Sequence, residues 1–276
     1  MYGRQRALLN LAEGSLRRGG QWWLCVALAG AFGLSLNSSY AADPVVDPQH
    51  PLAPALEHAY KARETLKQVA DYEAVFSKRE IVGRKAVEST MRIKFRKEPY
   101  SVYMIFLKPH EGREVIYVEG RNNGKLLAHE TGIRSIAGTV SLATDSEDAM
   151  EDNRYPITMI GMHYMLDRLI EQWEMESQYG EVDVQYYPNA KLGASTTCKV
   201  IESKHPKPRR QFRFHMTRLF LDNATGYPIR LEQLAFPEGN GKPLMVEAYT
   251  YLDVKVNLGL KDRDFDHTNP NYAFPR

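Results

Sequence analysis

The sequence predicts an α+β protein built on one antiparallel sheet of about eleven strands. Three observations lead there. From Tyr72 to Thr131 the chain alternates strand-like runs with turn signals every ten residues or so, the mark of a meander. The breaks are Gly83-Arg84-Lys85, Glu98-Pro99, Pro109 to Gly112 and Gly120 to Gly124. Strand-like runs resume after residue 180. Two stretches carry apolar residues at helical spacing, one before the first strand and one between the two strand groups. With no internal repeat, one continuous sheet in one domain is the economical arrangement.

The chain has 276 residues, with 36 Lys+Arg against 34 Asp+Glu. Residues 1–41 read as a secretory signal peptide. Arg17-Arg18 ends a basic segment, Trp22 to Leu36 is apolar, and Ser39-Tyr40-Ala41 offers a cleavage site after Ala41. The apolar run is shorter than the roughly 20 residues a bilayer-spanning helix needs. A retained anchor is the alternative. The expected destination is the periplasm. Four Arg and one Glu leave with the segment, so 32 basic and 33 acidic residues remain. That balance excludes a general nucleic-acid binder. Cys198 is then the lone cysteine, expected buried in a strand as a small hydrophobe.

Residues 42–54, with Pro44, Pro48, Pro51 and Pro54, predict an extended leader, and 55–276 the single domain. A helix starts at Pro54, with Leu56, Ala59, Leu66 and Val69 on its apolar stripe, and ends near Asp71. Strands follow over Tyr72–Val82, Val87–Lys97, Tyr100–Leu107, Glu114–Glu119, Lys125–Glu130 and Thr139–Ala143. The second alternates Met91, Ile93 and Phe95 with Arg92, Lys94 and Arg96. The third and fourth are apolar on both faces, so each face needs a cover. An acidic loop leads to a Met-rich helix from Ile160 to Glu174. The remaining strands are Val182–Tyr187, Thr197–Ser203, Phe212–Leu221, Ile229–Phe236 and Leu244–Leu252, with a turn expected at Asn189–Gly193.

This order resembles the periplasmic lipoprotein-carrier family (LolA-like and LolB-like proteins). Three stretches carry the likeness: Asp71 to Glu80, Lys94 to Tyr100, and Leu221-Asp222 through Thr225-Gly226-Tyr227-Pro228-Ile229-Arg230-Leu231. Gly112 to Val118, and Phe265-Asp266 to Asn269-Pro270-Asn271-Tyr272, more closely resemble an uncharacterised bacterial family of that superfamily. The resemblance covers about Leu56 to Phe274. It implies a strongly curved sheet, an open half-barrel, with helices on the concave side. It further implies a carrier or sensor of lipids, lipoprotein acyl chains or other amphiphiles.

An apolar concave surface must be filled by helices, ligand or a partner. Candidate ligand-cavity residues are Met91, Ile93, Phe95, Met104, Phe106, Tyr117, Phe214 and Met216; a closed core is the alternative use of each. Candidate lid residues are Met159, Met162, Met165, Leu166, Leu169 and Trp173. Lys204, Lys207, Arg209 and Arg210 form a basic loop that could meet anionic headgroups or a membrane surface; the alternative is a solvated loop. Asp262, Asp264 and Asp266 lack the Gly and terminal Glu of a calcium loop. No metal site, cofactor or catalytic constellation is expected, and the chain is read as not an enzyme. The leading function is a periplasmic amphiphile carrier. The alternatives are an envelope sensor or protein-interaction module on the same fold, with an envelope protein as partner, and a hydrolase.

Overall fold

Eleven strands pair into one sheet with the spatial order β6-β5-β4-β3-β2-β1-β11-β10-β9-β8-β7, every pairing antiparallel. The computed structural model describes residues 46–132, 136, 138–239 and 241–275. The strands are β1 (Asp71–Val82), β2 (Lys85–Arg96), β3 (Ser101–Lys108), β4 (Glu114–Val118), β5 (Lys125–His129), β6 (Thr139–Ala143), β7 (Asp183–Leu192), β8 (Thr196–Lys204), β9 (Met216–Asp222), β10 (Pro228–Leu234) and β11 (Met245–Val256). The helices are α1 (Ala53–Lys67), a one-turn α2 (Glu147–Met150) and α3 (Met162–Glu176). The chain lays down β1 to β6 in one direction. It then crosses to the far edge through α3 and returns from β7 to β11, which pairs with β1. Strands β6 and β7 remain separate edges, so the sheet is an open half-barrel.

The concave face is made by rows of residues in register. Phe76 faces Met91, which faces Phe106; Ala74, Ile93 and Met104 form the next row; Tyr72, Phe95 and Val102 the next. The period of two sends all of them to one side. On that side α1 contributes Ala55, Leu56, Ala59, Ala62 and Leu66, spaced three to four apart. Pro54 sits in its first turn, where no amide hydrogen is needed. Helix α3 contributes Met162, Met165, Leu166, Leu169, Ile170 and Trp173 to the same core. Trp173 is fully buried, and its indole N–H donates to the Ser203 hydroxyl at 3.1 Å.

The convex side of β3 and β4 is covered by the C-terminal segment. Phe265 and Phe274 pack with Tyr103, Ile116 and Val118, and Tyr272 stacks on Tyr103 at 4.0 Å. This is the second cover that the two-faced strands demanded. The segment is fastened by Asp71, whose carboxylate accepts from the backbone N–H groups of Leu258, Gly259 and Leu260 at 2.6, 3.0 and 3.0 Å. Asp262 receives Arg96 and Arg121 at 2.8 and 2.6 Å, and Asp264 receives Lys94 at 3.0 Å. Asp262 and Asp264 therefore serve as ion-pair partners that hold the segment to the sheet, while Asp266 accepts from Thr268 within it.

Some boundaries differ from expectation. The last described part of the leader is not extended. His50 donates from Nε2 to the Tyr179 carbonyl at 2.9 Å and Leu52 is fully buried, so residues 47–52 turn and pack before α1. Residues 42–45 of the leader and the expected signal peptide lie outside the described residues. Strand β7 runs on through Pro188 to Leu192, with an irregularity between Tyr187 and Ala190. An edge strand tolerates proline because its outer face needs no amide hydrogen. Strand β9 begins at Met216, because Phe212 leaves the sheet to stack on His205 at 3.7 Å. Cys198 is buried in β8, and burial pushes its thiol pKa up.

Replacing Asp71 with Ala strands three amide donors and frees the C-terminal segment. A loss of about 3 kcal/mol is expected from a charge-assisted cluster of this kind. Urea unfolding, with protease nicking after residue 256 as a second readout, checks it; an unchanged midpoint would show that the apolar cover alone holds the segment.

Candidate functional site

A cavity of about 320 Å³ lies between α3 and the middle of the concave face. Its floor is Phe76, Met91, Met104 and Phe106 from β1 to β3 and Leu231, Tyr249 and Tyr251 from β10 and β11. The roof is Met165, Leu169, Gln172 and Met175 of α3. Residues Tyr155, Met159 and Ile160 of the incoming loop close one side, and Phe214, from the β8–β9 connection, another. The volume is at the lower end of the range of roughly 300–1,000 Å³ typical of small-molecule sites.

The position of α3 is set by its first turn. Gly161 has φ = +130°, and a Cβ there would stand 2.9 Å from the Phe95 ring, so only glycine permits this approach. The exposed amides of a helix start need acceptors. The Tyr251 hydroxyl accepts from Gly161 N–H at 3.2 Å and the Tyr72 hydroxyl from Met162 N–H at 3.3 Å. Tyr100 donates to the Ile157 carbonyl at 2.7 Å. Burial holds the Tyr72 and Tyr251 phenols in their neutral form by raising their pKa values. At the other end, Glu176 and His205 form a fully buried pair at 3.2 Å, and His205 Nδ1–H donates to the Glu181 carbonyl at 2.8 Å.

One end of the cavity is polar. Lys78 and Glu80 follow Phe76 on the inward side of β1 and are paired at 2.7 Å, almost wholly buried. Tyr249 donates to Glu80 at 2.6 Å. Glu247, opposite Glu80 in the ladder, binds Arg154 at 2.8 Å and accepts from Tyr155. Burial raises the Glu247 pKa, while the Arg154 and Arg213 charges oppose the shift. Arg213 donates to the Tyr155 hydroxyl at 3.1 Å and its guanidinium lies over the Phe214 ring. The wall is thus apolar along most of its length, with a charged, internally paired patch at one end.

Of the sequence candidates, Met91, Met104, Phe106 and Phe214 stand on the cavity wall. Ile93 and Tyr117 are packed into the core, because α1, α3 and their neighbours fill the sheet at those rows. Phe95 is spent on the contact with Gly161 and borders a second hollow. Met216, half-buried at the start of β9, lies off the wall. Met159, Met165 and Leu169 reach the cavity, whereas Met162, Leu166 and Trp173 anchor α3 behind it. Lys204, Lys207, Arg209 and Arg210 are exposed; Arg209 pairs with Glu181. Their loop runs directly into Arg213 and Phe214 at the cavity. Sequence reasoning missed Lys78, Glu80, Glu247 and Tyr249. Their signal was parity: Lys78 and Glu80 continue the inward series of Tyr72, Ala74 and Phe76, and Glu247 and Tyr249 that of Tyr251.

The fold and cavity define an open antiparallel half-barrel whose concave face is roofed by helices over an apolar chamber. The chain belongs to the family described as "Protein of unknown function (DUF1571)", whose model matches residues 69–274. No curated protein matches. Among solved structures, it is similar to LprF from Mycobacterium bovis at 10% identity, covering 76% of this chain and 96% of that one, with a TM-score of 0.44. It is similar to lipoprotein LppX of Mycobacterium tuberculosis at 12% identity (74% and 98% covered, TM-score 0.42). A LolA superfamily protein from Nitrosomonas europaea matches at 13% identity (77% and 97% covered, TM-score 0.29). Among the described residues, no helix is long and apolar enough to cross a membrane.

The Glu176–His205 pair gives a pH dependence. Burial works against the charged ring, but Glu176 and the Glu181 carbonyl outweigh it and raise the His205 pKa. The stabilisation is therefore complete below the unfolded value of about 6.5 and is lost as pH rises through the folded value. The wild type should lose stability as pH rises above about 6.5 relative to the Glu176→Gln/His205→Gln double variant, measured by urea unfolding at each pH. Parallel pH profiles would contradict a charged pair.

Proposed function

We propose that this protein binds a lipid, lipoprotein acyl chain or other amphiphile in the cavity beneath α3 and carries it in the periplasm. The observation that carries the reading is the chamber itself, apolar along its length and polar at one end. Each methylene transferred into such a wall contributes about 0.8 kcal/mol. Methionine side chains adapt to a chain of variable shape, and Met91, Met104, Met159, Met165 and Met175 all reach this cavity. The paired patch of Lys78, Glu80, Glu247 and Arg213 suits the polar end of the ligand. The periplasmic placement rests on the signal-like residues 1–41, and the domain follows as one binding unit with no catalytic role.

Entry is through the segment before α3, since Met162, Leu166 and Trp173 tie the helix itself to the core. Residues 153–160 carry Asn153, Tyr155, Met159 and Ile160 along the cavity, and Met159 is partly exposed. The basic loop, adjoining Arg213, would hold the mouth near anionic headgroups.

Native mass spectrometry of protein purified from a periplasmic extract without detergent tests the central reading. A bound amphiphile, lost on organic extraction, is the expected result. Phe106→Asp, at a half-buried wall position, should lower retention about tenfold or more with the fold intact by circular dichroism. A clean apo mass with no uptake of added lipids would sink the carrier reading. It would favour a protein-interaction module, for which edge strand β7 exposes Tyr186 and Tyr187.

The loop is tested separately. Lys207→Ser/Arg209→Ser/Arg210→Ser should weaken binding to vesicles of anionic lipid by roughly tenfold or more, at about 1 kcal/mol per basic residue. Equal sedimentation with the vesicles would remove the headgroup role.

A further inference from the structure

A second hollow, of about 360 Å³, lies on the other side of Ile160 and Tyr164, the two residues that it shares with the first. Leu66 at the end of α1, Phe95 on β2 and Leu166 on α3 make an apolar wall. Its charges differ in kind from those of the first cavity. There Lys78, Arg168 and Arg213 balance Glu80, Glu171 and Glu247. Here Arg63, Lys67 and Lys97 face a single acid, Asp167.

The cations are weakly engaged. Lys67 meets Glu64 at 2.6 Å, but both side chains are more than half exposed, and such pairs contribute only about 0–1 kcal/mol. Arg63 lies 5.1 Å from the centre of the Tyr60 ring. Lys97 is exposed on the turn after β2, and its backbone N–H donates to the Ala70 carbonyl. His163 also lines the hollow. Its Nε2 bonds the Leu66 carbonyl at 2.8 Å, while Nδ1 is buried without a hydrogen-bond partner among the described residues.

We infer that this second hollow binds a single-chain amphiphile with an anionic head, its tail against Leu66, Phe95 and Leu166 and its head among Arg63, Lys67 and Lys97. A small inorganic anion would leave the apolar wall unused. A neutral amphiphile would leave the cations unused. The volume, near the bottom of the range for ligand sites, favours one chain over two. The site is independent of the carrier reading, because its polar residues lie outside the first cavity. Burial and Lys97 hold the His163 ring towards its neutral form, against the Leu66 carbonyl and Asp167, which favour the charged form. An anionic head beside Nδ1 counters Lys97, so binding draws a proton onto the ring.

The probe is dodecanoate, titrated into the full chain by calorimetry, with the His163 ring followed by ¹⁵N NMR. Dodecanoate should bind about tenfold or more tightly than dodecanol, acetate should not compete, and the His163 titration midpoint should rise. Arg63→Ser/Lys97→Ser should weaken dodecanoate about tenfold, as should Lys97→Glu, which alters only an exposed side chain. Phe106→Asp should leave it within about twofold. Equal affinity for dodecanol, an unmoved His163 midpoint, or loss in Phe106→Asp with retention in Arg63→Ser/Lys97→Ser would overturn the assignment. The last result would place the ligand in the first cavity and leave the carrier reading standing.

Discussion

An open, curved sheet presents an apolar concave face that water will not tolerate, and covering that face is the constraint on which the rest of this structure depends. Helices α1 and α3 meet it together. Helix α3 matters more, because it is also the crossover from one sheet edge to the other. Its seat is narrow. Gly161 admits the first turn against Phe95, and the hydroxyls of Tyr72 and Tyr251 accept the amides that a helix start leaves open. A buried glutamate–histidine pair holds the opposite end.

Two hollows follow from that seating. The space left over is split at Ile160 and Tyr164. On one side the sheet supplies methionines and phenylalanines with a neutralised polar patch. On the other, the ends of α1 and β2 supply cations with little to balance them. The same covering helix thus borders two chambers of different electrostatic character.

The polar patch of the first cavity is held rather than free. Lys78, Glu80, Tyr249, Glu247, Arg154 and Tyr155 satisfy one another, which a low-dielectric setting demands of buried charges. Such a network fixes geometry and marks one end of an otherwise apolar chamber. The convex side shows the same economy. The acids near the C-terminus are matched to Arg96, Arg121 and Lys94, so a charged segment can cover the apolar backs of β3 and β4.

By itself the sequence determined the eleven strands, the two long helices and their order. Alternation, helical spacing and turn residues are local properties, and neighbouring strands in a meander pair with their sequence neighbours. It also showed that β3 and β4 need covers on both faces, without showing what supplies the second. Only the tertiary structure decided that residues 257–275 do so, because Asp71 reaches them across more than the length of the sheet in sequence. Only the tertiary structure separated Met91 and Phe106, on a cavity wall, from Ile93 and Phe95 on the same inward face. Parity assigns a side of the sheet, but where along the strand a helix presses down depends on contacts between distant elements. The inward charges of Lys78, Glu80 and Glu247 had the right parity all along. Their partners lie on other strands and in the loop before α3, and folding alone brings those together.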